Sequence, residues 1–117
     1  MIVNINVWRV LPDGNVQEFV KAWTTRRALL RAQPGAFDAH LYSREDNPNV
    51  FVGIAGWASA EYRNTALEHV RSWYPVLEAH YRSTAESMGS FVLPKQLASS
   101  LSDAKGYVDQ FGPLLVL

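Results

Sequence analysis

Phe37-Asp38-Ala39-His40-Leu41-Tyr42-Ser43-Arg44, the turn Glu45-Asp46-Asn47-Pro48-Asn49, and Val50-Phe51-Val52-Gly53-Ile54-Ala55-Gly56-Trp57 form the stretch that decides the fold. Phe37, Ala39 and Leu41 alternate with Asp38, His40 and Tyr42, which is the period of a strand whose two faces meet different surroundings. Asp46-Asn47-Pro48-Asn49 is built from turn-forming residue types, and Val50 to Trp57 is almost continuously apolar, as in a strand covered on both faces. Two strands this close in sequence are expected to pair as an antiparallel hairpin.

Upstream, Val3, Ile5 and Val7 alternate with Asn4, Asn6 and Trp8, so Ile2 to Val10 reads as another strand, ended by Pro12-Asp13-Gly14. Asn15 stands three residues before Glu18, a variant of the capping box. Val16, Phe19, Val20, Trp23, Leu30 and the aliphatic stem of Arg27 then keep helical spacing, giving a helix of about four turns closed by Gln33-Pro34-Gly35. Downstream, Ser59 is placed to cap a helix from about Ala60. Pro75 breaks that pattern, so a further helix is expected, capped by Ser72, running to about Ser87 and ended by Gly89. Phe91-Val92-Leu93 and Tyr107 to Leu117 are both strand candidates, separated by the Ser-rich Ala98 to Asp103. One completes the sheet and the other extends the domain; the apolar Pro113-Leu114-Leu115-Val116-Leu117 needs cover from a partner or from the chain's own helices.

Strand, helix, strand, strand, helices, strand is the ferredoxin-like split βαβ order. The expectation is therefore one α+β domain over residues 1–117 with an antiparallel sheet and an irregular C-terminal extension at about 95–117. With Val3, Ile5 and Val7 under the helices, the opposite face would carry Trp8 and Phe51 and could not comfortably meet water. Two sheets packed face to face, a homodimer, would solve this.

The 117 residues include 11 Lys plus Arg and 11 Asp plus Glu. Such a balance offers no basic footprint for nucleic acid. No cysteine is present, which excludes disulfides, thiolate metal sites and cysteine nucleophiles and fits a reducing compartment. No run approaches the ~20 apolar residues of a membrane span and the start lacks a basic leader pattern; no membrane partner and a cytoplasmic location are expected. With three histidines, no Gly-rich phosphate loop and no nucleophile elbow, a metal site is not expected.

Arg31-Ala32-Gln33-Pro34-Gly35-Ala36-Phe37 and Val52-Gly53-Ile54-Ala55-Gly56-Trp57-Ala58-Ser59-Ala60-Glu61-Tyr62 resemble the antibiotic biosynthesis monooxygenase family. In that family a Pro-Gly pair leads from the first helix into the second strand, and the third strand ends in a Trp followed by a helix-opening Ser; Trp23 fits as well. The resemblance covers roughly Ile2 to Tyr81. It implies a dimeric α/β barrel, made by two sheets, with a small-molecule pocket between sheet and helices in each subunit. The activities it implies are cofactor-independent oxygenation of aromatic polyketides or oxidative haem degradation.

Trp57, at a strand end beside such a pocket, can stack on a planar aromatic ligand and donate its indole N–H, or simply anchor the core. Asn4 and Asn6 share a strand face and, if buried, need partners or a polar cavity; the haem-degrading branch, with an Asn on its first strand, makes Asn6 the better carry-over. His40, Tyr42 and Arg44 share a face suited to orienting a phenolic or acidic ligand, unless it is only a solvated side. Imidazoles such as His69 and His80 can ligate iron or transfer protons, and the resemblance puts His80 near the axial position of haem-degrading members, although Trp73 does not match their helix Trp. Tyr62 and Arg63 correspond, about one residue out of register, to the phenol and guanidinium of the polyketide-oxygenating branch, whose strand Asn is replaced here by Gly53. The leading expectation is a monooxygenase without cofactor acting on a small aromatic or polyketide-like substrate. Trp57, Asn6 and Tyr62 would be catalytic, and Asn4, His40, Tyr42 and Arg44 would bind substrate. The alternatives are a haem-binding or haem-degrading monooxygenase using His80 as the cofactor ligand, and a non-catalytic small-ligand-binding dimer.

Overall fold

A computed structural model describes residues 1–93 and the short strand Leu114–Val116. The elements run β1 (Ile2–Val10), α1 (Val16–Arg31), β2 (Ala36–Arg44), β3 (Val50–Trp57), α2 (Ala60–Trp73), α3 (Pro75–Thr84), β4 (Ala85–Leu93) and β5 (Leu114–Val116). They form one antiparallel sheet in the order β4-β1-β3-β2-β5. Its first four strands have the ferredoxin-like arrangement expected from the sequence.

Local chemistry explains most boundaries. Asn15 Oδ1 accepts the backbone N–H groups of Gln17 at 2.8 Å and Glu18 at 3.2 Å, satisfying donors that a helix start leaves free. Ser59 Oγ accepts the Tyr62 N–H at 3.3 Å at the start of α2. Gly35, with φ +80°, turns the chain into β2, and the Tyr62 ring lies where a Cβ would stand. Only glycine meets both demands at low cost.

The third helix departs from the sequence reading. Ser72 lies inside α2, and α3 starts with Pro75 as its first residue behind Tyr74, which makes no side-chain cap. It ends at Thr84 rather than near Ser87, and Ala85–Leu93 extends along β1. Strand pairing satisfies this segment's backbone groups and overrides its weak helical spacing. Gly89 interrupts no helix; it has φ +142° and sits at a register shift opposite Val7. Phe91-Val92-Leu93 belongs to β4, while Leu114–Val116 adds an edge strand to β2, so both strand candidates join the sheet. The rest of Tyr107 to Leu117 and the remainder of the extension at about 95–117 lie outside the described residues.

The two sheet faces are exchanged relative to expectation. Helices cover the face of Trp8, Val10, Leu41 and Phe51, which packs with Phe19, Ala22, Tyr81 and Ala85. Aromatic contacts join it: Phe19 and Phe51 centroids are 4.9 Å apart, and Trp8 meets Tyr81 edge-on at 5.9 Å. These rings carry more apolar area than Val3, Ile5 and Val7, which explains the choice of face. Val3, Ile5, Tyr42, Val52, Ile54 and Leu93 form a second core on the other face. Val3 and Ile54 are each 1 % exposed within the single chain. The face that no described helix covers is thus not left open to water, and face-to-face pairing of sheets does not follow from an uncovered face.

Candidate functional site

Small residues at one end of the helix-facing side leave the sheet and helices apart. Gly53 and Ala55 on β3 and Ala39 on β2 accompany Asn4 and Asn6 on β1, where bulkier side chains would have filled the layer. The result is a cavity of about 760 Å³ with Trp8, Trp23, Trp57, Leu30 and Leu67 among its walls. This volume suits a drug-sized organic ligand.

Trp57 is 4 % exposed and lines the cavity from the end of β3. Asn4 is buried, and its Oδ1 accepts a hydrogen bond from Arg63 Nη1 at 3.0 Å. Asn6 Oδ1 accepts one from Ser90 Oγ at 2.5 Å. Both oxygens are thereby engaged, so the amide nitrogens are the polar groups these residues retain for a ligand.

Arginines dominate the lining: Arg26, Arg27, Arg31, Arg63, Arg71 and Arg82, against the carboxylates Glu78 and Glu86. Glu86 is drawn off by Arg9 at 2.5 Å. Glu78 is 5 % exposed; its Oε1 lies 2.5 Å from Arg26 Nε and its Oε2 3.8 Å from Arg82 Nε. The Arg26 guanidinium also stands 4.8 Å from the Tyr81 ring centroid, a cation–π contact. Burial pushes the Tyr81 phenol far above its ordinary value, and the negative charge of Glu78 adds to this, while Arg26 acts the other way. Neither Glu78 Oε2 nor the Tyr81 hydroxyl has a hydrogen-bond partner. Arg27 is tied to Asp38 Oδ1 at 2.6 Å and donates from Nε to the Ala39 carbonyl at 2.6 Å. Sequence reasoning missed this charged wall, because Arg26 and Glu78 lie 52 positions apart on different helices. The one available signal was a charged residue on each helix at spacings that otherwise carry apolar residues.

Several expected site residues are not brought here. Tyr62 is 48 % exposed and lines a separate cleft of about 400 Å³ with Gln33 and His69. His69 stacks on Trp73 at 4.4 Å between centroids, and its Nδ1 lies 3.1 Å from Gln33 Oε1. Tyr42 is buried in the second core, with Val3, Ile5 and Ile54 on the opposite face of the sheet. His40 lies 3.6 Å from Asp38, and Arg44 forms a two-pronged pair with Asp46 at 2.9 and 2.6 Å that braces the hairpin turn. His80 points away from the cavity, half exposed and 3.9 Å from Glu18 Oε2. No histidine of the chain lines the large cavity, so the residues present do not fit a haem held there by an axial imidazole. Among the described residues, no group of His, Asp and Glu could hold a metal ion.

A ferredoxin-like sheet with a ligand-sized cavity under its helices defines the class of protein. The antibiotic biosynthesis monooxygenase family model matches residues 1–85, and the chain belongs to that family. Among solved structures it is similar to SnoaB, a cofactor-independent oxygenase from Streptomyces nogalater, with 22 % identity, TM-score 0.70, and 80 % of this chain and 90 % of that chain covered. Rv0793 from Mycobacterium tuberculosis is similar at 18 % identity and TM-score 0.63, over 85 % of this chain and 98 % of that one. A conserved protein from Methanosarcina mazei shares 18 % identity at TM-score 0.58, over 77 % and 89 %. At these identities the likeness is one of fold. No curated relative matches the sequence.

Proposed function

We propose that the protein is a cofactor-independent monooxygenase acting on a small, electron-rich aromatic or polyketide-like substrate. The observation that carries this reading is the convergence of Trp8, Trp23 and Trp57 with Asn4 and Asn6 in one cavity walled by arginines. The indoles supply flat apolar contact for a planar ring system, and the guanidinium and amide N–H groups face the charge that grows when that ring loses a proton. The carbanion reduces dioxygen, a C–O bond forms, and cleavage of the O–O bond releases water and leaves a carbonyl on the ring carbon. The apolar indole walls lower the local dielectric and so strengthen the coupling of these charges to the protein dipoles. Family membership supports the reading, and so does the likeness to SnoaB, itself a cofactor-independent oxygenase.

The reading includes a homodimer, supported by family membership and by Met88, Phe91 and Val92, each half-exposed on the edge strand β4. It also places the protein in the cytoplasm, in keeping with the absence of cysteine; no helix among the described residues is long and apolar enough to cross a membrane. Oxygen uptake with an anthrone, without added metal or flavin, tests the activity. Ligand binding without uptake would reduce the protein to a binding module.

A further inference from the structure

The proposed oxygenation begins with loss of a proton, and the cavity must hold the group that takes it. The three histidines lie outside the cavity, Tyr81 is held in its protonated form, and Glu86 is exposed and paired with Arg9. Glu78 is different. It comes from the first turn of α3, lines the cavity and is nine-tenths buried. One carboxylate oxygen is engaged by Arg26; the other is buried, lies 3.8 Å from Arg82 Nε and makes no hydrogen bond.

We infer that Glu78 is the catalytic base of this cavity, taking a proton at Oε2 from an acidic ring carbon of the aromatic substrate while Arg26 holds Oε1. The inference rests on the cavity being the substrate site, as proposed above. In the step the substrate C–H bond breaks and an O–H bond forms on Glu78. The electron pair stays on the substrate as a carbanion delocalised onto its ring oxygen. No oxidant is consumed. The negative charge moves from Glu78 to the substrate within reach of the same cations, Arg26 from α1 and Arg82 from α3, so both sides of the equilibrium keep a counter-ion. The Tyr81 hydroxyl, on the next turn of α3 and also without a partner, adds a neutral donor beside that charge. A carboxylate whose orienting hydrogen bond leaves one oxygen unbonded has the geometry of a positioned base.

The test separates proton removal from oxygenation. With 1,8-dihydroxyanthrone as probe, deuterium incorporation at C10 is followed by NMR in D2O under argon, and oxygen uptake is followed in parallel in air. The wild-type protein is expected to accelerate exchange over buffer, and Glu78→Gln to lose about a hundredfold or more of that acceleration, the usual range for a general base. Circular dichroism and quenching of tryptophan fluorescence by the probe show whether the variant folds and binds. Should Glu78→Gln not fold, Glu78→Asp decides, because it keeps the carboxylate beside Arg26 but draws it back by one methylene and must slow exchange while the probe still binds. No acceleration by the wild type, or exchange at the wild-type rate in a folded Glu78→Gln or Glu78→Asp, would each overturn the inference. Exchange without oxygen uptake would sink the oxygenase reading and leave Glu78 as a base. Normal uptake with Glu78-independent exchange would do the reverse.

Discussion

Gly53 on β3 and Trp8 on β1 compete for one space: a Cβ on Gly53 would lie 2.8 Å from Trp8 Cζ3 and 3.5 Å from Trp23 Nε1. The two indoles can lie over the sheet because position 53 has no side chain. An Asn, as the polyketide-oxygenating members carry there, has no room. Asn6, directly opposite Gly53 in the β1–β3 pair, carries an amide on that same face.

Gly53→Ala is accordingly expected to push Trp8 off Phe19 and Tyr81 and to destabilise the fold by about 1–3 kcal/mol, the usual cost of overpacking. Urea unfolding should show a lower midpoint at unchanged slope. Aromatic ligands should bind more weakly, since the displaced indole narrows the cavity.

Asn4→Ala leaves the half-buried Arg63 guanidinium without its Asn4 acceptor. Loss of a hydrogen bond to a charged group costs about 1.5–3 kcal/mol. Unfolding free energies of Asn4→Ala, Arg63→Met and the double variant should reveal coupling between the two sites, and additive losses would contradict it.

Trp57 and Tyr62 should separate in function although they lie five positions apart in the sequence. Trp57→Phe removes the indole N–H and part of the cavity wall and is expected to lower turnover by roughly tenfold or more, about 1.4 kcal/mol of barrier. Tyr62→Phe, which alters only the other cleft, should leave oxygen uptake within roughly twofold. Haemin titration of the wild type should give no imidazole-ligated Soret band, and His80→Ala should not change the spectrum.

Asp38 is held below its ordinary 3.8 by the Ala39 backbone N–H and by Arg27, against an opposing desolvation. A carboxyl with a depressed folded pKa contributes stability that is fully present above the unfolded value and is lost as pH falls through the folded one. Acid unfolding should thus steepen below about pH 4, the free-carboxyl range. Asp38→Asn should flatten that limb, with urea midpoints at pH 5 and pH 3 as the measurement.

Periodicity alone made β1, α1 and the β2–β3 hairpin legible, because alternation along a strand and helical spacing are imprinted locally by which face is buried. Asn15, Ser59 and the Pro34-Gly35 turn were equally readable, each acting within three residues of itself. β4 was not, since Ala85 to Gly89 has no strand signal and is drawn into the sheet by the free edge of β1. Trp57, Asn4 and Asn6 line the cavity, and they stood out in the sequence because a Trp at a strand end and amides within a strand are unusual on any reading. Glu78, Arg26, Trp8 and the displacement of Tyr62 were not.

What the sequence by itself determined is the split βαβ order, the family, and the strand that carries the amides, all written in short-range patterns. Tertiary structure alone decided which sheet face the helices cover, and with it the fate of Gly53 and Trp8. Alternation marks two faces but cannot rank them; the ranking came from Phe19 of α1, Phe51 of β3 and Tyr81 of α3 gathering around Trp8. That packing put the arginines and Glu78 around the amides, a meeting of distant residues that no spacing along the chain encodes.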